Sequence, residues 1–227
     1  MRHIVLLPGL DGTGALFDDF VRAAPTTVRC DVVSLPQEPL GYAALVERLE
    51  PRLQLGPDTI LVAESFSGPL AILLAERQQV AALVLCSTFV TPPRSRAFAA
   101  LFSPLFHLPM PAVVARWFFV GRGAPDDLVE RVQATVASVP PAVLAARAAS
   151  VSRVNVVDAL ARCSGPIVYL RGTQDRLVPE ASVDAVVRAA SGPVSVVRIP
   201  GPHLLLQAAP EAAWRAIEDV LLEPRVA

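Results

Sequence analysis

The sequence predicts an α/β protein: a doubly wound, six-stranded parallel sheet carrying an all-helical insertion. Three observations predict it. Short apolar, β-branched runs alternate with amphipathic helical stretches, the mark of βαβ units. Several of the runs are continuous rather than alternating in character, as expected of strands buried on both faces. One long interval, Thr91 to Cys163, breaks the rhythm with clustered aromatics and prolines and holds no convincing strand.

In order, His3 to Leu7 is an apolar run stopped by Pro8-Gly9 and followed by the loop Leu10-Asp11-Gly12-Thr13-Gly14. Ala15 to Ala23 reads as a helix, with Leu16, Phe17, Phe20 and Val21 on one face. Val28 to Ser34 is a second strand. Leu40 to Leu53 is helical, its Leu45, Leu49 and Leu53 four apart. Thr59 to Ala63 is a third strand and opens into the helical run Pro69 to Arg77; Ala81 to Cys86 is a fourth. The alternation resumes with a strand at Pro166 to Arg171, a helix at Glu180 to Ala190 and a strand at Val194 to Ile199. A last helix runs from Leu204 to Leu222, with a bend allowed at Pro210. Gly165-Pro166, Gly192-Pro193 and Gly201-Pro202 each fall where an element ends. Within the insertion the spacing predicts helices near 95–107, 111–120, 125–138, 140–149 and 153–162. The domain expectation is therefore a core of 1–90 and 164–227, interrupted by 91–163.

At 227 residues with 53% apolar and 18% charged side chains, the chain can fill one sizeable domain and is not disordered. The net charge is -1 and the 20 basic residues, all arginine, form no stripe, which argues against nucleic acid. Cys30, Cys86 and Cys163 are isolated and lack zinc-ligand spacing, so neither a metal nor a disulfide framework is expected. No run approaches the ~18 apolar residues of a membrane span. The N-terminal apolar stretch is too short for a signal peptide. A cytoplasmic setting is the expectation.

The stretch Thr59 to Gly68 places one hydroxyl, Ser65, on a sharp strand-to-helix turn flanked by Ala63, Ser67 and Gly68. Small neighbours are needed there because strand and helix backbones approach closely. The turn lifts Oγ above the sheet and sets it beside the positive end of a helix. A serine hydroxyl needs a base as it attacks, and the base needs an acceptor to fix its tautomer. Of the three histidines, His3 starts a strand and His107 lies in the insertion. His203 follows the last strand, at the same carboxyl edge of the sheet as Ser65. Asp175 lies in another loop of that edge, in Arg171-Gly172-Thr173-Gln174-Asp175.

These residues resemble the α/β-hydrolase family: Ser65 on its turn, Asp175 in Gly-x-x-Asp-x-x-Val-Pro, and His203 in Gly-x-His, in that chain order. The motif's usual glycines are Ala63 and Ser67 here, and the common His-Gly of the oxyanion loop is Pro8-Gly9. The resemblance covers the whole core and puts the insertion where the family carries its cap. It implies Ser65, Asp175 and His203 as catalytic residues and the backbone N–H groups of Leu10 and Phe66 as the oxyanion hole. It also implies a core lacking the family's first two strands, with strand order 4-3-5-6-7-8 in the family's labels. The activity implied is a serine hydrolase acting on an ester or thioester, with no cofactor. An acyltransferase or lyase on the same three residues stays open, as does a non-catalytic ligand-binding member.

Other residues keep two readings. Ser67 is a rival nucleophile or the small residue that permits the turn. Asp11 braces the oxyanion loop or faces water, and Glu64 faces a pocket rim or solvent. Asp158 and Asp184 read as exposed helix charges. Arg176 is the one cation expected beside the site. Phe98, Phe102, Phe106, Trp117 and Phe118 are the candidates for an apolar pocket and would suit an apolar acyl or alkyl group. An exposed apolar insertion could also pair two copies of the chain.

Overall fold

The structure is a computed structural model that describes residues 2–93 and 106–222. Six parallel strands, β1 (Arg2–Leu7), β2 (Val28–Val32), β3 (Thr59–Glu64), β4 (Ala82–Cys86), β5 (Ile167–Gly172) and β6 (Val194–Ile199), form one sheet. Their order is β2-β1-β3-β4-β5-β6, the one expected of a core without the first two family strands. The chain leaves β1 toward one edge and returns to the other side at β3. The carboxyl ends of β1 and β3 therefore flank the point where strand order reverses, where α/β sheets bind ligands.

The continuous apolar runs have the predicted cause. In β3 and β5 every residue is buried, and successive side chains enter different layers. Val5, Leu7, Leu61, Leu83, Leu85, Ile167 and Tyr169 face one layer, against the helices Tyr42–Leu49, Ser67–Arg77, Val157–Arg162 and Glu180–Ala189. Ile4, Leu6, Ile60, Val62, Val84, Val168 and Leu170 face the other. There Phe17 and Phe20 meet Trp214 and Ile217 of the helix Pro210–Ile217. Phe20 stacks on Trp214 at 4.5 Å, and the indole N–H donates to the Phe20 carbonyl at 2.6 Å. The last helix is broken, as allowed, into Leu205–Ala208 and Pro210–Ile217.

Between residues 106 and 163 the described residues are helical and contain no strand. Ala112–Val114 runs into a π-helical stretch, Ala115–Val120, and Asp126–Ala137, Pro141–Val151 and Val157–Arg162 follow. The expected helix at 95–107 lies almost wholly outside the described residues. Two apolar clusters tie this segment to the carboxyl edge of the sheet. One gathers Val120, Leu128, Val129 and Val132 around Leu204 and Leu16. The other gathers Val139, Val143, Leu144 and Phe106 around Leu10. Among the described residues no single helix is long and apolar enough to cross a membrane.

Candidate functional site

Ser65 stands directly after β3 with φ 50, a left-handed conformation that a residue with a side chain rarely adopts. The turn is held from three directions. The Ser65 N–H donates to the Cys86 carbonyl at 2.9 Å, and the Ser65 carbonyl accepts the Thr88 hydroxyl at 2.5 Å and the Gly68 N–H at 3.2 Å. A Cβ at Gly68 would lie 2.0 Å from Thr88 Oγ1, so only glycine lets the helix start this close to the end of β4. Ser67 is fully buried and donates its hydroxyl to the Pro8 carbonyl at 2.5 Å, which ties the turn to the loop after β1. Ser65 itself remains half-buried.

His203 and Asp175 reach Ser65 from the loops after β6 and β5. His203 Nε2 lies 2.9 Å from Ser65 Oγ, and His203 Nδ1 lies 2.9 Å from Asp175 Oδ2. The other carboxylate oxygen of Asp175 accepts the N–H groups of Leu177 at 2.8 Å and Val178 at 3.0 Å. Burial alone would raise the Asp175 carboxyl. His203 and these two amides outweigh it and hold the group below the usual aspartate range. The Leu204 N–H donates to the Phe119 carbonyl at 2.8 Å, and the Phe119 ring meets His203 edge-on at 6.2 Å.

Phe66 follows Ser65 directly, and Leu10 lies in the loop after β1. Phe66 opens the helix Ser67–Arg77, its ring stacked on Tyr42 at 4.8 Å while the Tyr42 hydroxyl donates to the Phe66 carbonyl at 3.0 Å. Among the described residues neither the Leu10 nor the Phe66 N–H donates a hydrogen bond. Asp11 is buried and accepts the Thr13 N–H at 2.9 Å and the Thr13 hydroxyl at 2.6 Å, bracing the loop rather than facing water.

Sequence reasoning misplaced Glu64 and missed three further residues. Glu64 is 2% exposed, neither on a rim nor in solvent, and accepts Gln207 Nε2 at 3.0 Å. Burial pushes its carboxyl up to about 7; Asp11 adds to the rise, while Gln207, His203 and the Leu206 amide oppose it. Among the described residues Glu64 Oε1 and Gln207 Oε1 are both buried without a hydrogen-bond partner, which favours the neutral, protonated acid. Arg171 is buried with Nη1 3.1 Å from Asp175 Oδ2, a second cation beside the acid where only Arg176 was expected. Arg147 is fully buried against the loop after β1. Its signal in the sequence was its place on the apolar face of Val143, Leu144 and Ser150.

The aromatic candidates scatter. Phe106 packs against the same apolar cluster as Leu10, and Phe118 is half-buried. Trp117 is 40% exposed, with the guanidinium carbons of Arg122 and Arg176 at 3.9 and 3.8 Å from its ring centre. It lines a cleft of about 430 Å³ beside the Asp175 loop, together with Gln174, Asp175 and Pro202. Phe98 and Phe102 lie outside the described residues. His3 bonds Asp31 at 2.8 Å at the far end of the sheet, and His107, Asp158 and Asp184 are exposed.

The raised carboxyl of Glu64 yields a stability prediction. Between pH 4.5 and about 7 the folded protein keeps a proton that the unfolded chain has released. The unfolded state then binds fewer protons, so stability from this group falls as pH rises, by on the order of 3 kcal/mol across the window. Glu64→Gln can still accept from Gln207 Nε2 through its amide oxygen and does not titrate. Urea unfolding of both proteins at pH 5 and pH 8 should show the variant gaining on the wild type at the higher pH. An equal difference at both pH values would rule out the buried, protonated acid.

A sequence profile described as the alpha/beta hydrolase family matches residues 4–216. A search of curated proteins gave no match. Among solved structures, an esterase from Exiguobacterium antarcticum superposes with a TM-score of 0.86 at 13% identity, covering 98% of this chain and 92% of that one. A bromoperoxidase from Bacillus anthracis gives 0.84 at 17% identity, with the same coverage of 98% and 92%. The enol-lactonase from Burkholderia xenovorans LB400 gives 0.79 at 17% identity, again covering 98% and 92%. At such identities the likeness is one of fold.

Proposed function

Because this chain belongs to the alpha/beta hydrolase family, we propose that it is a serine hydrolase cleaving an ester or thioester of a small, largely apolar acyl substrate. The observation that carries this reading is the linear array in which His203 stands 2.9 Å from both Ser65 Oγ and Asp175 Oδ2. In the proposed reaction Ser65 Oγ attacks the acyl carbonyl while His203 Nε2 takes its proton. The amides of Leu10 and Phe66 receive the oxyanion, a contribution of roughly 3 kcal/mol per donor. His203 then gives the proton to the departing alcohol or thiol as the carbonyl–heteroatom bond breaks. Water, deprotonated by His203, hydrolyses the acyl-enzyme in the same way. Asp175, held ionised, keeps Nδ1 protonated and stabilises the imidazolium.

In this reading residues 91–163 are an insertion into a core of 1–90 and 164–227; its last helix, Val157–Arg162, packs on the sheet with the core helices, and the part before it is the cap. Support comes from the two apolar clusters that pack this segment with Leu10 and with Leu204, in the loops after β1 and β6. The apolar character of both clusters favours an acyl group without charge. Labelling with a fluorophosphonate tests the proposal. A covalent adduct on the peptide containing Ser65, blocked by prior incubation with the best substrate of an ester and thioester panel, is the expected result. Absence of an adduct at Ser65 removes the acyl-enzyme, and a lyase or a binding protein becomes the better reading.

A further inference from the structure

We propose that Arg147 is a positioning residue for the oxyanion site: from the insertion helix Pro141–Val151 it clamps the loop that presents the Leu10 N–H. The inference rests on the hydrolase reading and adds to it a link between the insertion and the reacting centre.

Pro8 to Asp11 contains four successive backbone carbonyls, and each is taken. The Pro8 carbonyl accepts the Ser67 hydroxyl at 2.5 Å. The Gly9 carbonyl accepts the Gly12 N–H at 3.1 Å, closing a tight turn. The Leu10 and Asp11 carbonyls both accept Arg147 Nη1, at 2.8 and 2.6 Å. Arg147 Nη2 donates to the Pro36 carbonyl at 2.9 Å, so the guanidinium also bridges to the chain beyond β2. Because a peptide unit is planar, fixing a carbonyl fixes the N–H of the same unit. The Gly9–Leu10 unit, which carries the Leu10 N–H, is held by Gly12. Arg147 holds the next two units and with them the turn that keeps Gly12 in place.

Burial makes the clamp stiff. Arg147 is 0% exposed, and burial lowers its guanidinium to about 10, opposed by the charge of Asp11. Because it is buried, its Nη1 and Nη2 donors have no solvent alternative to the backbone carbonyls they hold. Gly12 is shaped to it: φ is +69, and a Cβ there would lie 2.4 Å from Arg147 Nη1. Lysine supplies the charge at one nitrogen and cannot span three carbonyls.

The test compares Arg147→Lys and Arg147→Met with wild type on p-nitrophenyl esters. It records kcat, KM, inhibition by a trifluoromethyl ketone analogue and amide exchange of the peptide covering 9–13. The expected result for Arg147→Lys is a kcat lowered ~10- to 100-fold with KM within about threefold, since an oxyanion donor acts in the transition state. Affinity for the ketone should fall by the same factor as kcat/KM, and exchange in 9–13 should quicken. Arg147→Met should be worse in kcat; if it does not fold, the lysine variant alone decides. Unchanged kcat with a raised KM, or unchanged ketone affinity, overturns the clamp. Ester turnover lost in Ser65→Ala but intact in Arg147→Lys overturns the clamp and leaves the hydrolase reading standing. No turnover by wild type overturns both.

Discussion

On the proposed mechanism Ser65→Ala is expected to lower kcat for p-nitrophenyl esters by ~10⁴-fold or more, with residual turnover coming from the proposed oxyanion amides and substrate binding. Stability should change little. Ser65 is half-buried, its Oγ makes one hydrogen bond among the described residues, to His203, and alanine meets the same left-handed backbone as serine. The framework that holds the turn does not use the hydroxyl: the Ser65 N–H bonds Cys86, and its carbonyl takes Thr88 and Gly68. A melting temperature within a few degrees of wild type, with turnover gone, is the expected pair of results. Ester turnover that persists at more than about a tenth of wild type would take Ser65 out of the chemistry.

Why the array was readable from the sequence is itself a physical matter. Parallel strands deliver their following loops to one edge, so three loops after three strands must meet there whatever the insertion does. Ser65, Asp175 and His203 each stand within a few residues of such a strand end. Glu64 was misread for the complementary reason. Its environment is decided by Gln207, which lies 143 residues away on the short helix before the break at Ala209. Arg171 was missed because a charged residue near the end of a strand gives no local sign of which loop will cover it. Arg147 could be placed on an apolar helical face, but its partners are backbone carbonyls 111 to 137 residues distant and leave no trace in side-chain pattern. The six strands were legible within two residues because their composition answers to burial on both faces. The helices after Pro111 were less so, since proline spacing marks where a helix stops and not what it packs against.

Gly172→Ala should cripple the protein for a reason separable from general destabilisation. A Cβ on Gly172, the last residue of β5, would lie 2.2 Å from the Pro202 carbonyl oxygen and 2.8 Å from that of Gly201. Both are backbone atoms, and they immediately precede His203. The Gln174 N–H already bonds the Gly201 carbonyl at 2.9 Å, so the loop cannot swing away freely. Accommodating a methyl group must shift Gly201-Pro202 and carry the imidazole with it. A displacement of about 1 Å between reacting groups can cost ~100-fold in rate. Gly192→Ala supplies the control. Its Cβ would meet the Gly165 and Ser164 carbonyl oxygens at 2.5 and 2.6 Å, a comparable insult at the opposite end of the sheet. Each variant should lose roughly 1–3 kcal/mol in urea unfolding, as overpacking does. Only Gly172→Ala should also lose kcat/KM, by ~100-fold or more, when assayed well below its melting temperature. If the two variants lose stability alike and keep equal activity, the close approach of β5 to the His203 loop does not set the imidazole's position.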